Sequence, residues 1–131
     1  MSTTTKTYPA VELAGRLLLA AMFLLAGLNK ISGYAGTVGY MESVGVPGAL
    51  LPAVIALEVI GALAIIVGFK TRLVALALAG FTLAAAVLFH ANFADPVQMI
   101  LFLKNVSIAG AFLLLAANGA GSLSLDARRQ G

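Results

Sequence analysis

Long apolar runs, separated by short polar and glycine-rich segments, dominate the chain. Four of these runs are long enough for membrane helices, at residues 11–30, 50–69, 72–89 and 96–117. A helix of about 20 apolar residues spans the hydrocarbon core of a bilayer. The pattern therefore predicts an all-α fold, an integral membrane antiparallel four-helix bundle formed by residues 11–117, with terminal tails at 1–10 and 118–131.

Residues typical of helix ends stand at the boundaries of the runs. Asp95 and Pro96 suit the N-cap and first position of the fourth helix, and Gln98 stands where a capping-box partner belongs. Gly68 suits the left-handed end of the second helix, and Thr71 suits the N-cap of the third. The second and third helices are then antiparallel neighbours, because only a few residues join them.

The link between the first two runs contains a weaker helical pattern. Residues 35–44 place apolar side chains at interrupted helical spacing, and Gly45 and Pro47 follow as stop signals. This pattern predicts a short surface helix, with Tyr34 and Tyr40 at the level of the lipid headgroups. An ordered loop is the alternative interpretation.

Composition supports the membrane class and narrows the chemistry. Hydrophobic residues make up 61% of the 131 residues and charged residues 10%, with a net charge of +3; a soluble domain is about a quarter charged. The charges are dispersed, so nucleic acid is not an expected partner. Without cysteine, and with one histidine, the chain cannot supply disulfides, thiolate metal sites or bis-histidine haem ligation. We expect no intrinsic cofactor.

Basic residues predict the orientation. The end that would hold both termini carries most of them, namely Lys6, Lys70, Arg72, Arg128 and Arg129. Basic loops stay on the cytoplasmic side, so we expect both termini in the cytoplasm. Glu12 and Arg16 stand four residues apart near this end, and a surface i,i+4 ion pair explains them.

Ionisable residues within the apolar runs are the candidate site. Glu58 and Lys104 each lie roughly 12 Å from the outer end of their helices, at 1.5 Å per residue. A charge in hydrocarbon costs about 2.5–3.5 kcal/mol or more, so such groups turn inward and pair. We expect the Glu58 carboxylate to pair with Lys104 and to be shared with Lys30. The candidate ligand-binding cluster comprises Glu58, Lys104, Lys30, His90, Asn29 and Asn105.

Two interpretations of this cluster stay open. It is either a small polar pocket for a ligand headgroup or a proton, or a buried ion pair that fixes helix register and binds nothing. For His90 alone, a helix-end hydrogen bond is favoured over a ligand-binding role. The chain contains no Ser/His/Asp set, H-E-x-x-H or phosphate loop. No catalytic residue is therefore predicted, and we do not expect the chain to be an enzyme on its own.

Three stretches together resemble the DoxX family of small bacterial inner-membrane proteins. These are FLLAGLNKISGYAGTVGYMESVGVPG, LEVIGALAIIVGFKTR and the closing GAGSLSLD. The resemblance extends from Leu17 to Asp126 and includes the G-x-x-K at Gly27–Lys30, the V-P-G turn, and the glutamate–glycine spacing at Glu58–Gly68. Each motif is weak alone, but the combination is specific.

The resemblance implies a multi-pass protein of the bacterial inner membrane. Related chains are described with quinol-oxidising, thiosulfate–quinone or superoxide-handling partners. This suggests a redox-linked accessory subunit that binds a quinone-like or other small lipophilic molecule beside Glu58, His90 and Lys104, and receives electrons from a redox partner protein. The alternative is a non-catalytic structural or assembly protein. The sequence leaves the oligomeric state open.

Overall fold

A computed structural model of the chain describes residues 7–130. The helices in this part of the chain are α1 (Pro9–Ser32), α2 (Tyr34–Ser43), α3 (Leu51–Val67), α4 (Thr71–Phe89), α5 (Pro96–Asn118) and α6 (Leu125–Gln130), with a 3₁₀ turn at Gly48–Leu50 before α3. Helices α1, α4 and α5, and α3 together with its 3₁₀ turn, are long and apolar enough to cross a membrane. The all-α fold with four membrane-length helices is confirmed. Lys6 lies outside the described residues.

The four long helices alternate in direction. We call the end at which α1 and α4 begin, and α3 and α5 end, the tail end, and the opposite one the loop end. Helix α1 packs most closely against α3, and α4 against α5, with a smaller contact between α3 and α4. Phe23 of α1 and Phe112 of α5 meet edge to face with ring centroids 5.3 Å apart, so aromatic packing closes the core between the two helix pairs.

Glycine permits the close approach of α1 and α3. A Cβ atom added at Gly27 would lie 2.6 Å from Cγ2 of Val59 and 3.2 Å from Cβ of Glu58. Both distances are too short for an unperturbed contact, so a larger residue would push the helices apart. Without a side chain at Gly27, the backbone of α1 passes directly over the turn of α3 that carries Glu58.

The predicted helix ends at Asp95 and Gly68 are present, but two residues do not have the capping roles predicted for them. The Asp95 side chain accepts a hydrogen bond from the Val97 amide at 3.0 Å, and Gly68 ends α3 in the left-handed conformation with φ of 72°. The predicted capping role of Gln98 is wrong, because its Oε1 bonds to the imidazole Nδ1 of His90 at 2.9 Å. Thr71 is not an N-cap either; it is the first residue of α4 and is buried.

A carboxylate from the C-terminal segment caps α4 instead of Thr71. The Asp126 side chain accepts hydrogen bonds from the amides of Lys70 at 2.7 Å and Thr71 at 2.9 Å. Burial alone would raise the pKa of this carboxyl, but the two amide hydrogen bonds and the nearby Arg129 charge lower it below its ordinary value. The short helix α6 is thereby held against the tail end.

Arg16 also joins the C-terminal segment to the core. Its side chain is 2% exposed and donates hydrogen bonds to the carbonyl oxygens of Ile65, at 3.4 Å, and Leu123. Within residues 7–130 no salt bridge joins Arg16 to Glu12. The predicted surface pair is therefore wrong, because Arg16 is buried and bonds to one backbone carbonyl of α3 and one of the returning C-terminal segment instead.

Candidate functional site

A buried ion pair joins α1 to α3 in the half of the bundle nearer the loop end. The ammonium Nζ of Lys30 lies 2.8 Å from Oε1 of Glu58. Glu58 is 3% exposed, whereas the Lys30 side chain keeps 29% exposure. The close approach at Gly27, one turn before Lys30, brings the two charges together. The carboxylate is therefore neutralised by a cation whose long stem reaches it from the helix end.

Lys104 is not the partner of Glu58. The predicted pairing of Glu58 with Lys104 is therefore wrong, and Lys30, predicted to share the contact, is the partner. No salt bridge to Lys104 occurs among the described residues, and Lys104 is exposed. The physical reason is the helix arrangement: α3 packs against α1, while α5 packs against α4. Equal depth in the bundle does not bring α5 into contact with the Glu58 face of α3.

A cavity of about 480 Å³ separates the two helix pairs at this level. Its walls are largely apolar, with side chains from α1, α3, α4 and α5 and with Thr37, Tyr40 and Met41 from α2. Polar side chains at its surface come from five helices. They are Lys30, Thr37, Tyr40, Glu58, Thr82, His90, Lys104 and Asn105. Apolar walls with a few convergent polar groups are typical of small-molecule sites.

The cavity brings together five of the six predicted site residues. Glu58, Lys30, Lys104, His90 and Asn105 line it. The sixth, Asn29, is exposed and absent from its lining; it faces away because it precedes Lys30 by one residue, about 100° around the helix.

Asn105 and His90, the two predicted site residues of the cavity not yet described, each make a hydrogen bond between α4 or its end and α5. Asn105 is buried and donates from Nδ2 to the carbonyl oxygen of Thr82 at 3.3 Å. His90 follows the last turn of α4, where its amide bonds to the carbonyl oxygen of Ala86 and its ring to Gln98. The predicted helix-end hydrogen bond of His90 is confirmed, and the same imidazole also faces the cavity.

Helix α2 forms a wall of the cavity, and its contribution was missed at the level of sequence. The predicted short helix is present, and Tyr40, which was predicted at headgroup level, stacks on Phe89 with ring centroids 5.5 Å apart. Met41 is buried. The spacing of Thr37, Tyr40 and Met41, at i, i+3 and i+4, was the available signal that one face of α2 packs inward.

No group of three or more His, Asp or Glu side chains within residues 7–130 is arranged to hold a metal ion. The polar groups of the cavity can instead donate hydrogen bonds, neutralise charge and exchange protons. Lys30, Lys104 and Asn105 are donors, Glu58 is an acceptor, and His90 can act as either.

Comparison with known proteins places the chain in a family. The family model described as DoxX matches residues 11–91. The chain is 55% identical over 114 residues to the inner membrane protein YqjF of Escherichia coli strain K12, covering 87% of this chain and 88% of the relative. It is 45% identical over 127 residues to the inner membrane protein YphA of the same strain, covering 92% and 91%. No solved structure gives a significant match. With a family match over more than half of its length and two relatives matched nearly end to end, the chain belongs to the DoxX family.

Proposed function

We propose that this DoxX-family protein binds a quinone-like or other small lipophilic molecule in the cavity beside Glu58. The observation that carries the proposal is a cavity of about 480 Å³ with apolar walls, into which ionisable groups from separate helices converge. Ligand sites typically measure about 300–1,000 Å³. Ionisable residues at membrane depth are costly and most often serve a function.

The polar groups of the cavity suit a head group that accepts hydrogen bonds. A quinone carbonyl needs donors, and Lys30, Lys104 and Asn105 can supply them. Glu58 and His90 are the groups able to exchange protons with such a head. In a redox-linked role, the electrons would come from a partner protein, and this chain would contribute binding and proton transfer.

Analysis of the ligand retained by the protein tests this proposal. We expect native mass spectrometry of gently purified protein to detect one small lipophilic molecule per chain, with reduced occupancy in Glu58→Gln and Lys104→Met. Lys70→Met is the matched control, because it removes an exposed lysine at the tail end. Wild-type protein that carries no such molecule, and that takes up neither added quinones nor other lipophilic compounds, would overturn the proposal.

A structural or assembly role is the second candidate, and the ion pair itself favours it. The 2.8 Å contact between Lys30 and Glu58 joins α1 to α3 without any ligand. In this role the pair would fix the register of the two helices, and a partner protein would bind elsewhere. Glu58→Gln would then lower stability, while ligand analysis of the wild-type protein would find an empty cavity.

The orientation of the chain is part of the same proposal. Exposed basic residues at the tail end support a cytoplasmic location of both termini; they are Lys70, Arg72, Arg128 and Arg129. At the opposite end Lys30 is neutralised by Glu58, and the α4–α5 connection carries Asp95. The cavity would then face the outer half of the bilayer.

A further inference from the structure

The positive and negative charges on the side chains that line the cavity do not balance. Lys30 and Glu58 neutralise each other in their 2.8 Å ion pair. Lys104 lines the same cavity, and no acidic side chain within residues 7–130 forms a salt bridge with it. His90 bonds to the neutral Gln98. With the imidazole neutral, the cavity therefore holds one uncompensated positive charge.

The depth of Lys104 makes this charge unfavourable without a counter-ion. It lies eight residues after Pro96, about 12 Å along α5. The two acidic residues in the segments at the loop end have other neighbours: Asp95 caps α5 through Val97, and the Glu42 carboxylate lies beside Gly48, before α3. A cation at such depth normally pairs or reaches a water-filled space. The side of Lys104 that lines the cavity is the place where a pairing group can enter.

We propose that the ligand of this cavity is an amphipathic monoanion, a lipophilic carboxylic acid whose carboxylate binds the ammonium group of Lys104. This inference rests on the proposed function, because it specifies the ligand of the same cavity. Lysine binds an anion as a point charge through up to three donors, and Asn105 follows it on the same helix. The apolar tail would lie against Phe81, Leu88 and Phe89, which line the wall formed by α4.

The ion pair restricts the ligand to a single negative charge. A dianionic head would bring a second negative charge into a cavity that holds one uncompensated positive charge, because the charge of Lys30 is already neutralised by Glu58. A two-tailed phospholipid would also need more apolar space than a cavity of about 480 Å³ provides. One charge and one apolar tail satisfy both limits.

Matched anionic and neutral compounds test the inference. The protein is reconstituted in nanodiscs of zwitterionic phosphatidylcholine, and binding of palmitate, palmitamide and a neutral short-tailed quinone is measured by native mass spectrometry. A charge-assisted hydrogen bond is about twice as strong as a neutral one, so we expect palmitate to bind roughly tenfold more tightly than palmitamide. Lys104→Met should abolish this preference. Lys104→Arg, which keeps the charge, and the control Lys70→Met should retain it.

The outcomes separate this inference from the proposed function. If palmitamide or the quinone binds as tightly as palmitate, the anionic ligand is excluded and the lipophilic site remains. If the preference for palmitate survives in Lys104→Met, Lys104 is not the recognition group and the inference fails. If none of the three compounds binds, both the inference and the proposed function fail.

Discussion

The Lys30–Glu58 ion pair is asymmetric, because one partner is enclosed and the other reaches a more open environment. Removing Lys30 leaves Glu58, whose side chain is 4% exposed, without its counter-ion, whereas removing the Glu58 charge leaves a lysine with 29% side-chain exposure. A buried charge that loses its partner typically costs 3–5 kcal/mol, while a long lysine side chain can extend toward a polar boundary.

We therefore expect Lys30→Met to lower the free energy of unfolding by about 3 kcal/mol and Glu58→Gln by about 1 kcal/mol. The double variant should lose less than the sum of the two, because it buries no unpaired charge. Denaturant titration in mixed micelles, followed by helical circular dichroism, measures all three. Additive losses would contradict a direct coupling between the two side chains.

Sequence reasoning at the residue scale identified Glu58 but chose the wrong first partner. Depth along a helix follows from residue counting, so the shared level of Glu58 and Lys104 could be predicted. Which helices are neighbours could not, because it depends on packing such as the close approach at Gly27. The predicted surface pair of Arg16 with Glu12 was wrong for a similar reason. The acceptor of Arg16 at Leu123 is 107 residues away in sequence, and no local pattern indicates that contact.

At the scale of the helices, the contact between α1 and α3 depends on Gly27. We expect Gly27→Ala to destabilise the protein by about 1–3 kcal/mol, the usual effect of overpacking. The added methyl group would lie 2.6 Å from Cγ2 of Val59, and a valine in a helix has little rotamer freedom to move away. The separation should also weaken the Lys30–Glu58 pair.

Gly15→Ala in the same helix is the matched control. A Cβ atom there would meet nothing within 4 Å, so alanine should be neutral or slightly stabilising through its better helix propensity. Thermal unfolding of both variants in one detergent makes the comparison direct. Equal effects of the two substitutions would show that the close approach at Gly27 does not limit packing.

The ends of the helices were predictable where the signal is local and not where it is distant. The Asp95 cap and the left-handed Gly68 involve neighbouring residues, so their sequence signatures suffice. The cap of α4 comes from Asp126, 55 residues beyond Thr71. A capping contact over that distance depends on how the tail folds back. Local sequence does not show this, and Thr71 was the candidate that it offered.

At the scale of the whole molecule, the distribution of charge predicts how the chain is inserted. The tail end exposes Lys70, Arg72, Arg128 and Arg129, and Asp126 uses both of its carboxylate oxygens on backbone amides. Asp126 keeps its negative charge, but acidic residues contribute little to orientation compared with lysine and arginine. Basic residues close to membrane spans favour retention on the cytoplasmic side.

Because the natural chain contains no cysteine, single-cysteine variants give a clean measurement of this orientation. Ala94→Cys lies in the connection between α4 and α5 at the loop end, and Ser122→Cys lies before α6 at the tail end; both positions are exposed. We expect a membrane-impermeant maleimide added to spheroplasts to label Ala94→Cys directly and Ser122→Cys only after lysis. The opposite labelling would place the basic end outside and turn the cavity toward the cytoplasmic half of the bilayer. A ligand would then enter from the inner leaflet, so this measurement also decides from which side lipophilic acids should be supplied to intact cells.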